Sequence, residues 1–430
     1  MIRKMPGRRI AALVGAAAIA SLSLAACGGD KSKTADATEI SVLSQFTAND
    51  ANSKAFKAMT DKFTQQTGIK VDIETVNNAD MVNTYETSKL ANKEKDLVAL
   101  NLSADSNSWL KEGQVVDTSK YLDEWGIKDK LEPDAIKFWT QQDGIAGFPY
   151  SGFNWPIWYN MDMLGQAGIT QVPATLDDLI NAAHALRAKK LPTMVLGGAE
   201  WPAANFVYWM GQQYMSASDA QTLFTSGGFC ANPNAVKGLD LLAKLRDEGV
   251  FVDNVQGFTA DQMTTAYAQG KASMMPSGSW AYTQVPDNVA KSTKLSGFPV
   301  VPGGTYTKPT GFHGFSQGFF LSPIGEKKIG AIEKFMKFAY APENLQPWVA
   351  DASQILAVKP DVLGQVKASN PLAVAGNNLS EANTAWLHLP DTDLPKGVDF
   401  QPPTTAFLGK KGETGAEFCK ALDKLYKDAK

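Results

Sequence analysis

The chain has 430 residues, with 41 Lys and Arg against 44 Asp and Glu and a formal net charge of −3. That length supports two domains rather than one. No long basic run occurs, which argues against a nucleic-acid partner.

Residues 1–9 carry Arg3, Lys4, Arg8 and Arg9 and no acid, and residues 10–26 are an unbroken run of apolar or small side chains. A basic segment followed by a short apolar one predicts a secretory signal over 1–26. The apolar run is shorter than the roughly 20 residues that a membrane span needs. It ends in Leu24-Ala25-Ala26-Cys27, which resembles the bacterial lipobox; this implies lipidation of Cys27 and anchoring on the extracytoplasmic face of the cell membrane. Removal of the signal leaves 430 − 26 = 404 residues and 37 basic against 44 acidic groups, a balance of −7. Residues 27–38 are small, polar and charged and read as a flexible tether. No later stretch is long and apolar enough to span a bilayer, so the only membrane contact expected is the lipid. Cys230 and Cys419 remain as an even pair, and an oxidising compartment predicts a disulfide between them.

Ile40 and Val42 alternate, as a strand does. Asn49 or Asp50 suits the cap of a helix carrying Ala55, Phe56, Met59 and Phe63 on one stripe, with Gly68 as its stop. Ile69, Val71 and Ile73 alternate again, giving strand, helix, strand: a parallel βαβ unit. Residues 96–102, DLVALNL, read as a buried strand. Residues 148–164, FPYSGFNWPIWYNMDML, hold six aromatic side chains and two prolines, which argue against both a core strand and a helix. Thr175 to Asp178 resembles a capping box opening a helix through Leu176, Leu179, Ile180, Ala183 and Leu186. Further helices are expected over 234–249 and 329–340. The class is α/β.

Catalytic signatures are weak. Of the three histidines, His184 lies on an Ala- and Leu-rich helix, His313 in a glycine-rich turn and His388 near Asp391 and Asp393. None has metal-ligand spacing, and neither a metal nor a cofactor is expected. Gly314-Phe-Ser316-Gln-Gly318 matches G-x-S-x-G, but the apolar, strand-like run after it does not suit the helix that a nucleophile elbow needs. The aromatic and amide usage is more telling. Ten Trp are spread along the chain, several beside loop signals. Indole faces stack on the C–H faces of sugars, and planar amides and carboxylates pair with their hydroxyls. Trp125, Trp139 and Trp209 are expected in the core.

Five ordered segments carry a resemblance to the bacterial extracellular solute-binding proteins, family 1, the sugar-binding lipoproteins of ABC importers. They are Asp96-Leu-Val-Ala with residues 109–117; Phe148-Pro-Tyr150 with residues 158–162; residues 173–179; Gly270 to Met274 with Ser277-Gly-Ser-Trp280; and residues 333–338 with Ala341-Pro-Glu343. Lys95 stands where the family usually has Pro. The resemblance implies a two-lobed periplasmic-binding-protein fold, each lobe a central sheet flanked by helices, with a ligand cleft at the hinge. It implies a first lobe of 39–150 plus 315–346 and a second of 151–314 plus 347–430. The crossings between them fall at 148–164, 312–315 and 347–357. The ligand would meet Ser44, Gln45, Asn101, Ser103, Asp105, Phe153, Asn154, Trp155, Glu200, Trp201, Trp280 and His313. The implied function is capture of a mono- or oligosaccharide by a monomer, which delivers it to ABC permease subunits and is not an enzyme. A non-sugar solute such as a polyamine or peptide, and a secreted glycan-active enzyme, are the alternatives.

Overall fold

The computed structural model describes residues 37–47 and 51–429. The predicted signal peptide, Cys27, all but the end of the tether and the Asn49 or Asp50 cap lie outside the described residues. Strands β1 (Glu39–Ser44), β2 (Lys70–Thr75) and β3 (Leu97–Asn101) are linked by helices Ala51–Thr67 and Asn78–Leu90. A short hairpin follows, β4 (Thr140–Gln141) and β5 (Gly144–Ile145), then β6 (Phe148–Trp155) and β7 (Ile157–Asn160). The later strands are β8 (Met274–Pro276), β9 (Thr293–Ser296), β10 (Thr310–Leu321), β11 (Ile355–Leu356) and β12 (Ala385–Trp386).

The expected βαβ unit is present. Ala55, Phe56, Met59 and Phe63 bury one stripe of the first helix, and Gly68, at φ 73, ends it. β1 pairs in parallel with β2 on one side and β3 on the other. Asp96, fully buried, accepts hydrogen bonds from the Ser41 backbone N–H at 2.6 Å, Ser41 Oγ at 2.9 Å and Lys328 Nζ at 2.8 Å. This carboxylate joins β1, the entry to β3 and the chain after β10. Lys95, in the place of the family's proline, instead pairs with Asp72 at 3.1 Å and Glu74 at 3.3 Å on β2.

The large sheet runs β11-β6-β10-β3-β1-β2, and β12 adds to β10. A smaller sheet runs β8-β7-β9. The proline-bearing stretch is thus strand for most of its length. Pro149 stands second in β6, and Pro156 falls between β6 and β7, where the chain leaves one sheet for the other and no ladder donor is needed.

Two main hydrophobic cores divide the chain. One holds Ile40, Val98, Trp109, Trp139, Phe148, Tyr150, Phe319, Phe335 and Trp348. The other holds Trp155, Ile157, Leu179, Trp209, Leu242, Phe298, Phe312, Leu389 and Phe418. A smaller cluster around Trp158, Tyr267, Tyr282 and Leu372 packs beside the β7 sheet. β6 and β10 each contribute to both main cores. One boundary is corrected here. Residues from 347 were expected in the second lobe, but Trp348, Ala352 and Leu356 to Val358 pack in the first core. The helix Pro342–Ala350 accommodates Pro347 internally, and the Trp348 indole reaches Phe46 at 5.6 Å and Tyr150 at 5.3 Å. The change of core comes after Leu363, before Leu372.

The Thr175–Asp178 capping box forms with both reciprocal hydrogen bonds. Trp125, Trp139 and Trp209 are buried. Cys230 and Cys419 are bonded, their Cα atoms 5.1 Å apart. The bond fastens the turn Phe229–Ala231 to the last helix, Gly415–Asp428, and Asp423 on that helix accepts from the N–H groups of Gly228, Phe229 and Cys230. Such cross-links stabilise a domain by about 2–5 kcal/mol.

Candidate functional site

The strand order β2-β1-β3 sets the first wall. From β1 the chain moves to β2 on one side and then back to β3 on the other, so the order reverses between β1 and β3. Open α/β sheets bind ligands outside the carboxyl ends of their strands at such a reversal. Gln45 follows β1 and Asn101 ends β3, and their amides meet at 3.4 Å. Ser103 and Asp105 occupy the next loop, which Ser106 braces by donating to the Asn101 carbonyl and accepting from the Ser103 N–H, both at 3.0 Å. Asp105 is exposed to solvent. Partial desolvation raises its pKa, and the carboxylates of Asp399 and Glu86 push it further up.

The second wall comes from the crossing strands. In the β6–β10 ladder Trp155 lies opposite Phe312, and Phe153 opposite Gly314. Period-2 alternation puts Phe153 and Trp155 on one face. There they meet Trp280 at 5.5 and 5.3 Å between ring centroids, and Trp201 lies 5.4 Å from Trp155 and 5.7 Å from Trp280, all edge to face. Gly278 makes room for Trp280: a Cβ there would lie 2.1 Å from the indole. The two walls approach each other. Ala104, beside Ser103 and Asp105, packs on the second core. Asn107 Nδ2 donates to the Thr392 carbonyl at 3.0 Å, and Lys396 Nζ pairs with Glu112 at 3.0 Å.

Four expected site residues stand differently. Asn154 alternates onto the opposite face of β6. It is buried there, donating to the Gly376 carbonyl at 2.8 Å and accepting from the Tyr282 hydroxyl at 2.7 Å. His313 pairs with Asn154 across the ladder, so it shares that face and lies 5.0 Å from the Trp386 ring. Burial lowers the His313 pKa, against the opposing fields of Asp134 and Glu381. The Glu200 carboxylate accepts from the Ala260 N–H at 2.9 Å and so steadies the loop before Trp201. Ser44 is buried at the end of β1 and accepts from the Phe46 N–H at 3.2 Å.

Other polar groups join the rings. Asn205, one helical turn beyond Trp201, donates to the Trp201 carbonyl at 3.1 Å and leaves its buried Oδ1 without a protein partner. Ser277 Oγ and Ser279 Oγ, flanking Gly278, and Trp155 Nε1 and Gln45 Oε1 are buried and unpartnered as well. Buried polar atoms are normally satisfied, so a group of them beside one wall or the other fits a polar ligand. The Ser277-Gly-Ser-Trp280 string was the available signal for the two serines; nothing in the sequence marked Asn205. The arrangement offers flat rings and neutral hydrogen-bonding groups. Ser316 lies inside β10, with its G-x-S-x-G string wholly within that strand, so there is no nucleophile elbow. His184 pairs with Glu248 at 3.0 Å on an exposed surface, and His388 pairs with Asp393.

The raised pKa of Asp105 has a definite sign. The folded protein binds the Asp105 proton at a higher pH than the unfolded chain, so ionised Asp105 opposes folding at neutral pH, and its cost fades as pH falls through the folded-state value. Asp105→Asn should therefore melt slightly higher than the parent at pH 7, with a difference that shrinks toward pH 4 in calorimetric scans. A lower melting temperature at pH 7 would contradict the assignment.

The profile of the bacterial extracellular solute-binding proteins matches residues 47–346. A multiple sugar-binding protein of Streptococcus mutans is 23% identical over 423 residues, covering 94% of each chain. Among solved structures, a probable secreted solute-binding lipoprotein from Streptomyces coelicolor is 32% identical with a TM-score of 0.78, covering 91% of this chain and 99% of that one. A chitin oligosaccharide binding protein aligns with a TM-score of 0.78 at 20% identity, over 91% and 98% of the two chains. The fold is the two-lobed periplasmic-binding-protein fold, and the chain belongs to the bacterial extracellular solute-binding protein family.

Proposed function

We propose that the protein captures a mono- or oligosaccharide and delivers it to the permease subunits of an ABC importer. The observation that carries this reading is the ring cluster of Phe153, Trp155, Trp201 and Trp280 with unpartnered neutral polar atoms beside it. Sugars present both apolar C–H faces and hydroxyls, and this wall matches both. The names of the Streptococcus mutans and chitin oligosaccharide relatives support a carbohydrate. Membership of an extracellular family places the work outside the cytoplasm. The ligand touches the loops after β1 and β3 on one side and the rings on the other, and it shifts an open–closed equilibrium of the two lobes. No bond is broken. The first lobe takes 39–150 plus 315 to about 363, and the second takes 151–314 plus the chain from about 372 onward. A monomer suffices, because one chain supplies both walls. The Leu24-Ala25-Ala26-Cys27 string supports a lipid anchor. One feature favours a second reading: Asp105 with Asp399 and Glu86 nearby would suit a polyamine.

A thermal-shift screen of neutral oligosaccharides and polyamines tests the ligand class. A cognate sugar should raise the melting temperature, with a stabilisation of roughly 2.7 kcal/mol at a hundredfold excess over Kd, and should reduce the radius in X-ray scattering. Shifts with spermidine and with no sugar would replace the carbohydrate reading by the polyamine one.

Trp280→Ala should weaken the cognate sugar about 5- to 160-fold, on a stacking scale of roughly 1–3 kcal/mol per ring, while the protein stays folded. Gly278→Ala should weaken it comparably although the indole is still present, because the new Cβ displaces the ring. Unchanged calorimetric affinity in both variants would remove Trp280 from the site.

Cys27→Ser should move the protein from the membrane to the soluble fraction on fractionation. A variant that stays membrane-bound would refute the anchor.

A further inference from the structure

Ten tryptophans are present, and 109, 125, 139, 155, 158, 209 and 348 are buried, which leaves 10 − 7 = 3 with exposed surface. Trp201 and Trp280 belong to the ring cluster of the cleft. The third, Trp386, does not. It sits on β12, whose parallel pairing sets Trp386 opposite Gly311 of β10. Gly311 and His313 share one face of β10, and Phe312 and its partner Trp155 share the other. Trp386 therefore stands on the face of the crossing strands turned away from Trp155. Gly311 permits this position, since a Cβ there would come within 3.0 Å of the indole.

A cavity of about 370 Å³ opens beside it, lined by Trp386 and Thr384 on one rim and by Thr305, Tyr306 and Lys308 on the other. That volume lies in the range of small-molecule sites. Lys308 Nζ donates to the Glu381 carbonyl oxygen at 2.7 Å and ties the rims together across 73 residues of sequence. The Tyr306 hydroxyl is buried, and that burial raises its pKa. The lining combines two aromatic rings, threonine hydroxyls and one charged group of each sign, Lys308 and Glu381. A free anion would meet Glu381 and a free cation would meet Lys308. A neutral polyhydroxylated ring fits both the flat faces and the mixed rim.

We propose that Trp386 and Tyr306 form a second carbohydrate-binding pocket, on the opposite side of the crossing strands from the cleft. It is independent of the cleft, so both can be filled at once.

The test follows the indole N–H resonances of the full mature chain by NMR while chitotriose, maltotriose or xylotriose is added up to its solubility limit. Trp386→Phe assigns the Trp386 signal. At least one sugar should shift this signal in the parent and equally in Trp280→Ala, where the cleft is impaired. Trp386→Ala should weaken this second binding about fivefold or more, on the scale known for aromatic stacking. Thr305→Arg should block it from an exposed rim position where folding is not at stake. Neither change should alter affinity at the cleft. A Trp386 signal that no probe moves, or that moves only when the cleft is intact, would overturn the proposal. Shifts at Trp386 without any cleft binding would uphold this pocket and sink the cleft assignment instead.

Discussion

The antiparallel ladder between β6 and β10 is the constraint on which the rest of the structure depends. Its register runs from Phe148 opposite Phe319 in the first core to Trp155 opposite Phe312 in the second. Both lobes thus hang on one set of backbone hydrogen bonds. The same ladder sorts the side chains. A residue in either strand faces one side or the other by parity alone, so Phe153 and Trp155 share the face that carries Trp201 and Trp280 while Asn154 and His313 share the other. The register shifts between Gly314 and Gln317, close to where the strands pass from one core to the other. A bulge there adds local twist and bend to the ladder.

The polar contacts between the two walls are modest, beside the apolar packing of Ala104 on the second core. Glu112–Lys396 is an exposed ion pair, of a kind that contributes about 0–1 kcal/mol. Asn107 adds one hydrogen bond to the Thr392 carbonyl, and the facing carboxylates of Asp105 and Asp399 work against approach. Polar contacts of this kind add little to that packing. A small polar contribution leaves the proposed open–closed equilibrium free to follow the ligand.

Much of this was legible in the sequence where local rules apply. The stripe from Ala55 to Phe63, the capping box at Thr175 and the even cysteine pair each depend on short spacings or simple counting, and each appears as read. The Ser-Gly-Ser turn before Trp280 marked that ring as a candidate, and the structure sets it against Phe153 and Trp155. The positions that stand differently do so for another reason. Asn154 sits between two site rings in sequence, but a strand sends neighbours to opposite faces, and the composition suggested loop rather than strand because Pro149 and Pro156 obscured it. Glu200 flanks Trp201, yet its carboxylate is used by the Ala260 N–H, 60 residues away. The boundary near 347 came from the family resemblance alone, whereas packing of Trp348 on Phe46 and Tyr150 keeps that helix with the first core. Long-range packing decided all three, and no local pattern encodes it.

The position of β10 in the chain sets a timetable for assembly. β3 ends at Asn101 and its antiparallel neighbour begins at Thr310, 310 − 101 = 209 residues later. At ribosomal rates of about 5–20 residues per second, the edge of β3 waits roughly 10–40 s for its partner to be made. The covalent seal comes later still, since Cys419 follows the end of β10 by 419 − 321 = 98 residues. The segment between the bonded cysteines includes β10, the helices Ile329–Ala339 and Pro342–Ala350, and β11, which pack in the first lobe, so the ring closed by the sulfur bond encircles chain from both lobes. Oxidation before β10 has found β3 and β6 would trap an incomplete sheet inside a closed loop. A nascent chain of this topology is safest kept extended and reduced until the helix Gly415–Asp428, which carries Cys419, has emerged.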